Sequence, residues 1–397
     1  MPKELSAVAR RVQASTTLSI DTTFKHMKAE GLDVIGFGAG EPDFNTPERI
    51  KTAAIQAIQD NFTRYTPSSG TLSLREAVCR RLELDCGLEY TPGQIVVSSG
   101  AKQSLFNALS ALINPGDEVL LPAPYWVSYF ELIKMVGGVP VILQTGAETG
   151  FKITPEMVDA AVTPKTKLLI FNSPSNPSGV VYRPAETEKI AAACVRHDLY
   201  VIADDIYYRL VYDGIRFRSI ASYGDEIKER TIVINGVSKS YAMTGWRLGY
   251  AAANPEIAAI MGNFQSHASS SPSSISQMAA EEALRGPQDE IEAMVGAFEE
   301  RRNYLVERFE KIPQIPFIRP EGAFYMMTDI SAFVGKTLHG KMIRNSDDFA
   351  SVFLERSLVA LVPCTGFGAP NYLRWSYATS MENIREGTGR LEKFIQG

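Results

Sequence analysis

The sequence predicts an α/β fold: a large domain with a mostly parallel sheet covered by helices on both faces, and a smaller α+β domain beside it. Three observations lead there. At 397 residues the chain exceeds the length at which one hydrophobic core usually divides into two. From about residue 90 to residue 250 it repeats one pattern, a short apolar run, a loop rich in Gly, Pro, Ser or Asn, then a helical stretch or another run. Those runs are uniformly apolar rather than alternating, as expected of strands buried on both faces.

The predicted strands of the large domain are QIVVSS, DEVLLP, KLLIFN, LYVIAD, TIVIN and RLGYAAA, with amphipathic segments such as KQSLFNALSALI and AETEKIAAACVRHD between them. After SSSPSSIS, the stretch DEIEAMVGAFEERRNYLVERFEK sets Ile291, Met294, Val295, Phe298, Leu305 and Phe309 at helical spacing, which predicts a long amphipathic helix bridging to the second domain. The second domain is expected to hold the strands AFYMMTD, LVALVP and YLRWSYA and the helices FASVFLERS and MENIREGTGRLEKFI, with the N-terminal segment through GEPDF packed against it. The division is therefore residues 45–290 for the large domain and residues 1–44 with 291–397 for the small one.

Composition narrows the function. The 45 acidic and 40 basic residues are mixed along the chain, leaving a net charge of -5 and no basic stripe for nucleic acid. No run approaches the roughly 20 apolar residues of a membrane span, and the N-terminus lacks the apolar core of a signal peptide, so a cytoplasmic protein is expected. Cys79, Cys86, Cys194 and Cys364 show no CxxC spacing and the four histidines no paired ligand spacing, so neither a disulfide framework nor a metal site is expected.

Ligands of open α/β sheets bind beyond the carboxyl ends of the strands, and here those ends are rich in chemistry. Gly100, Ala101 and Lys102 open a helix, where free N–H groups favour a phosphate. Tyr125 and Trp126 follow DEVLLP, Asn176 lies in SPSNPSG, Asp204, Asp205 and Tyr207 follow LYVIA, and Lys239 and Arg247 lie in GVSKSYAMTGWR. Lysine, carboxylate, amide, phenol, aromatic plane and phosphate cradle together match what pyridoxal phosphate requires of a protein.

With GAGEPDF, YTPSSG, PAPYWVSY, NSPSNPSG, ADDIYY, SKSYAMTGWRLGY and NYLRWSYATS in order over nearly its whole length, the chain resembles the class I aminotransferases of fold type I, close to the bacterial aspartate aminotransferases. The resemblance implies a homodimer that moves the amino group of an L-amino acid to a 2-oxo acid by a ping-pong mechanism through pyridoxamine phosphate. It implies that Lys239 binds the cofactor as an imine and then serves as general base, returning the substrate Cα proton to the cofactor. It assigns Asp204 to the pyridine nitrogen, Tyr207 and Asn176 to the phenolic oxygen, Trp126 to stacking over the ring, and Arg247 to the phosphate beside residues 100–102. Arg374 and Gly40 are assigned to the substrate α-carboxylate, and Tyr65 to the phosphate in the neighbouring subunit. Ser15, Thr17 and Lys102 match the residues with which relatives bind the side-chain carboxylate of aspartate.

Each residue also has an ordinary use. Asp204, Ser15 and Thr17 are suited to helix caps, Trp126 to a core, Gly40 to a turn, Lys239 and Arg247 to a charged surface, and Asn176 and Tyr207 to a loop; Asp205 is expected to be solvated or structural. Arg374 is different, since a charge among apolar strand residues is costly unless paired. The family's cup serine, three residues before the lysine, is replaced by Gly236, which leaves Ser238 as the hydroxyl next to Lys239.

Relatives of this kind also use prephenate or aromatic acids, and Gln13 stands where many prephenate users carry lysine. Other pyridoxal-phosphate reactions share the fold. A transcription regulator built on it would carry an added DNA-binding domain, which is not expected in a chain whose motifs begin almost at once. The GFGAG run does not fit the GxGxxG of a nicotinamide enzyme.

Overall fold

The computed structural model describes residues 3–10, 12 and 16–396, except the side chains of residues 16–19 and 21. Seven strands form the large sheet: β1 (Ile95–Ser98), β2 (Glu118–Ala123), β3 (Val139–Gln144), β4 (Thr166–Asn172), β5 (Tyr200–Asp204), β6 (Thr231–Gly236) and β7 (Gly249–Ala252). Their order is β1-β7-β6-β5-β4-β2-β3. β3, β2, β4, β5 and β6 pair in parallel, whereas β7 is antiparallel to both its neighbours. The reversal follows from the connection: the segment from β6 to β7 carries no crossover helix, so the chain doubles back beside the strand it has just left.

Alternate residues of each strand enter different cores, as two-sided burial requires. Leu168 and Ile170 pack with Leu105, Leu109 and Ile133 on one face, while Leu169 and Phe171 pack with Ile190 and Cys194 on the other. β3 was not anticipated from the sequence. It is one of the sheet's two edge strands, half-covered along much of its length and carrying Pro140, whose missing N–H is tolerated at an edge.

In the second lobe, β8 (Tyr325–Asp329), β9 (Val362–Pro363) and β10 (Tyr372–Ser376) form an antiparallel sheet in the order β9-β10-β8. The expected strand LVALVP is split: Val359–Ala360 pairs instead with Ile35–Gly36 in parallel. That pairing joins the N-terminal segment to the last third of the chain. Helix α2 (Asp289–Glu310) links the two cores, with Ile291 among the residues packed on β1 and β7 and Met294 to Phe309 among those around Phe324 and Trp375. Among the described residues no helix is long and apolar enough to cross a membrane.

Candidate active site

The carboxyl ends of β4, β5 and β6 open on a cavity of about 400 Å³ between the two lobes. Gly40, Ala101, Lys102, Trp126, Asn176, Asp204, Tyr207, Ser238, Lys239, Arg247 and Arg374 all line it. They come from seven separate stretches of sequence, and the parallel register brings most of them to one edge. Tyr65 lies elsewhere, 92% exposed on a concave surface beside residues 271–274. Ser15, Gln13 and the side chain of Thr17 lie outside the described residues.

Asp204 ends β5 and is buried. Its Oδ2 accepts a 2.6 Å hydrogen bond from the Tyr129 hydroxyl, and its Oδ1 accepts from the Ile206 N–H. Burial pushes its pKa up to about 6, against the pull of these two donors and of the Lys239 charge. Asp205, the next residue, is buried rather than solvated, and burial raises its pKa strongly.

Lys239 lies in the loop after β6, and its Nζ donates to the Gly40 carbonyl at 2.5 Å. Desolvation lowers its pKa to about 8; Glu41 and Asp204 oppose that shift, and Arg247 and Arg374 reinforce it. With its pKa at about 8, roughly a tenth of the amine is neutral at pH 7, far more than for an ordinary lysine, and the neutral form is what a nucleophile or base requires.

At one end of the cavity, Gly100 precedes helix α1 (Ala101–Leu112) with φ +90°. A Cβ at this position would lie 2.3 Å from Arg247 Nη2, so the missing side chain is what lets the guanidinium reach the helix N-terminus. Lys102 joins it, its Nζ 4.8 Å from the Trp126 ring centroid and its pKa lowered first by desolvation and then by Arg247. Two cations and the first N–H groups of a helix converge here, which is the chemistry of an anion site.

At another end, Arg374 on β10 is 2% exposed. Its Nη1 donates to Asn176 Oδ1 and its Nη2 to the Gly38 carbonyl, both at 3.0 Å. Its guanidinium lies 4.4 Å from the Tyr325 ring centroid and 5.4 Å from that of Phe367. The neutral acceptors leave its charge uncancelled and facing the cavity, a place for a carboxylate.

Gly236 is also explained. A Cβ there would meet Gly249 Cα at 2.8 Å and the Leu248 carbonyl at 3.0 Å, so the β6–β7 pairing leaves no room for a serine.

Among the cavity residues not singled out in the sequence are Tyr129 and Tyr325. Tyr129 sits one helical turn beyond Trp126, a spacing that could have flagged it. Tyr325 begins a buried strand and has nothing local to distinguish it from a core aromatic.

Residues 32–391 match the family model for aminotransferase class I and II. The chain belongs to that family. Membership in the class I and II aminotransferases implies pyridoxal phosphate as cofactor, and the architecture is their fold type I. An aspartate aminotransferase of Bacillus sp. (strain YM-2) is 46% identical over 397 residues, with 99% of this chain and 100% of that protein covered. An aspartate/prephenate aminotransferase of Cereibacter sphaeroides is also 46% identical, over 99% of each. The crystal structure of the aspartate aminotransferase from Rhizobium meliloti superposes with a TM-score of 0.96 at 41% identity, covering 100% of this aminotransferase and 99% of that chain.

Proposed function

We propose that this aminotransferase moves the amino group of an L-amino acid, aspartate foremost, to a 2-oxo acid such as 2-oxoglutarate in two half-reactions. The observation that carries the reading is the meeting of Asp204, Lys239 and Arg374 at one cavity. Asp204 is a buried carboxylate whose hydrogen bonds come from neutral groups, so a protonated pyridine nitrogen would supply the cation it lacks. The anion site formed by Arg247, Lys102 and the start of α1 suits a phosphate. The residues present fit the cofactor at both ends.

When bound, pyridoxal phosphate supplies a covalent anchor for the amine and a sink for the electrons released at the substrate carbon. Lys239 Nζ would hold it and, once displaced by the incoming amine, would carry the proton from the substrate Cα. Asp204 would keep the ring nitrogen protonated, and Tyr207 and Asn176 would donate to the ring oxygen. Trp126 would cover one ring face, and Ser238 would lie beside the phosphate. Arg374 and the Gly40 backbone would orient the α-carboxylate, with Ser15, Thr17 and Lys102 on the side-chain carboxylate.

We also assign the active unit as a homodimer, with Tyr65 reaching the partner's phosphate; its exposure away from this chain's own cavity supports that reading. The four free cysteines fit a reducing compartment, taken to be the cytoplasm. The small lobe is assigned to residues 1–44 and 291–397. A second reading, use of prephenate or aromatic acids as well, is favoured by the 46% identical relative named for both activities.

Lys239→Ala tests the proposal: the purified variant should lose both the covalently bound chromophore and turnover, and retained activity would overturn the lysine assignment. A panel of amino donors with 2-oxoglutarate and oxaloacetate separates the substrate readings.

A further inference from the structure

We propose that Tyr325 is a positioning residue, one side chain that sets both the phenol of Tyr207 and the guanidinium of Arg374. The proposal rests on the pyridoxal-phosphate reading above. Tyr325 is fully buried at the start of β8. In the β8–β10 register it faces Ser376, while Arg374 faces Met327. Tyr325 and Arg374 are therefore diagonal neighbours on one face of the sheet, within reach of an aromatic and a long side chain.

Its two ends do different things. The hydroxyl lies 3.0 Å from the Tyr207 hydroxyl, and the two rings meet edge to face at 5.8 Å. The ring lies 4.4 Å from the Arg374 guanidinium, which also donates to Asn176 and the Gly38 carbonyl. The hydroxyl would also stand 3.4 Å from a methyl group placed on Gly40, so Tyr325 closes the wall where the N-terminal segment passes.

The direction of the Tyr207–Tyr325 hydrogen bond follows from proton counting. Each phenol has one proton, and burial raises the pKa of both above the ordinary tyrosine value, so both stay neutral. If Tyr207 gives its proton to the cofactor's ring oxygen, it has only its lone pairs to offer Tyr325. Tyr325 must then donate to Tyr207. A donor that itself accepts a hydrogen bond is polarised into a stronger donor. Stronger donation draws electron density from the ring oxygen, which weakens that oxygen's hold on the proton of the Lys239–cofactor linkage. Tyr325, which lines the same cavity, therefore lowers the pH at which this proton leaves by acting through Tyr207.

The test uses the holoenzyme and the pH dependence of its violet absorbance, without turnover. Tyr325→Phe keeps the ring and loses the hydroxyl; its absorbance midpoint should rise by roughly half a pH unit, the size expected for one modest hydrogen bond. Its KM for amino donors should stay within about two-fold of the wild type, because the ring still covers Arg374. Tyr325→Leu should show the same midpoint shift and also raise KM roughly ten-fold for every amino donor, as loss of a buried cation–π contact predicts. In a Tyr207→Phe background, Tyr325→Phe should add no further midpoint shift.

An unchanged midpoint in Tyr325→Phe, or a full additive shift in the double variant, would overturn the proposal. The phenylalanine variant decides this even if the leucine variant does not fold. Wild-type protein that binds no cofactor chromophore would instead overturn the cofactor reading, and with it this one.

Discussion

The Tyr129 hydroxyl donates to Asp204 Oδ2 at 2.6 Å inside the buried floor of the cavity. The bond is made to the charged form of the acid, so it favours the carboxylate over the carboxylic acid. Under the proposed reading, Tyr129→Phe should weaken the hold of Asp204 on the ring nitrogen. A hydrogen bond to a buried charge amounts to about 1.5–3 kcal/mol, so kcat should fall roughly ten-fold or more. KM for aspartate should change little, and a variant with wild-type kcat would rule out the role.

Under the proposed reading, Asp204 sets stability and function against each other. Its pKa in the folded cofactor-free protein is raised from 3.8 to about 6, so the folded state prefers the protonated acid. The contribution is favourable below the unfolded value and is lost as pH rises through the folded one. At about 1.4 kcal/mol per pH unit, the buried carboxylate costs the cofactor-free protein about 3 kcal/mol above pH 6. Asp204→Asn should therefore raise the Tm of the cofactor-free protein at pH 7 and leave it nearly unchanged at pH 3.5. The same variant should bind the cofactor more weakly and turn over far more slowly. Thermal melts at the two pH values, with and without pyridoxal phosphate, check both halves.

Lys102 belongs to the anion site and lies over the Trp126 ring. If it serves the substrate side chain, Lys102→Ala should lower kcat/KM for aspartate by roughly 100-fold, the scale of a lost charge-assisted hydrogen bond, and for leucine far less. Equal losses for the two donors would move Lys102 wholly to the phosphate.

Gly100→Ala would drive a methyl group into Arg247, 2.3 Å from Nη2 in the present geometry, at a φ of +90° that alanine resists. Cofactor affinity should drop roughly ten-fold, with about 1 kcal/mol of stability lost from the backbone alone. Titration of the cofactor-free protein with pyridoxal phosphate measures the first, and chemical denaturation the second.

Much of the fold could be read locally. The other six strands of the large sheet, buried along most of their length, announced themselves because two-sided burial leaves an unbroken apolar run. β3 did not, since only Leu143 of it is buried and Pro140 interrupts its run. LVALVP read as one strand because composition cannot show that Val359–Ala360 and Val362–Pro363 pair with different partners. The site was legible wherever a polar group followed a strand, as with Asp204 and Lys239. It was not legible at Tyr325, whose chemistry depends on what its hydroxyl meets.

From the order of residues alone came the layered architecture, the strand ends that carry lysine, carboxylate, amide and phenol, and the family these motifs resemble. Those are properties of short segments, governed by periodicity and by backbone geometry. Only the folded chain decided which groups meet: Arg374 with Asn176 across 198 positions, Lys239 with Gly40 across 199, and Tyr207 with Tyr325 across 118. Contacts of that range follow from how distant segments pack together, and so do the burial that lifts Asp204 and the desolvation that lowers Lys239. Hydrogen bonds and dielectric environment belong to the assembled cavity, because each depends on atoms that no single segment contains.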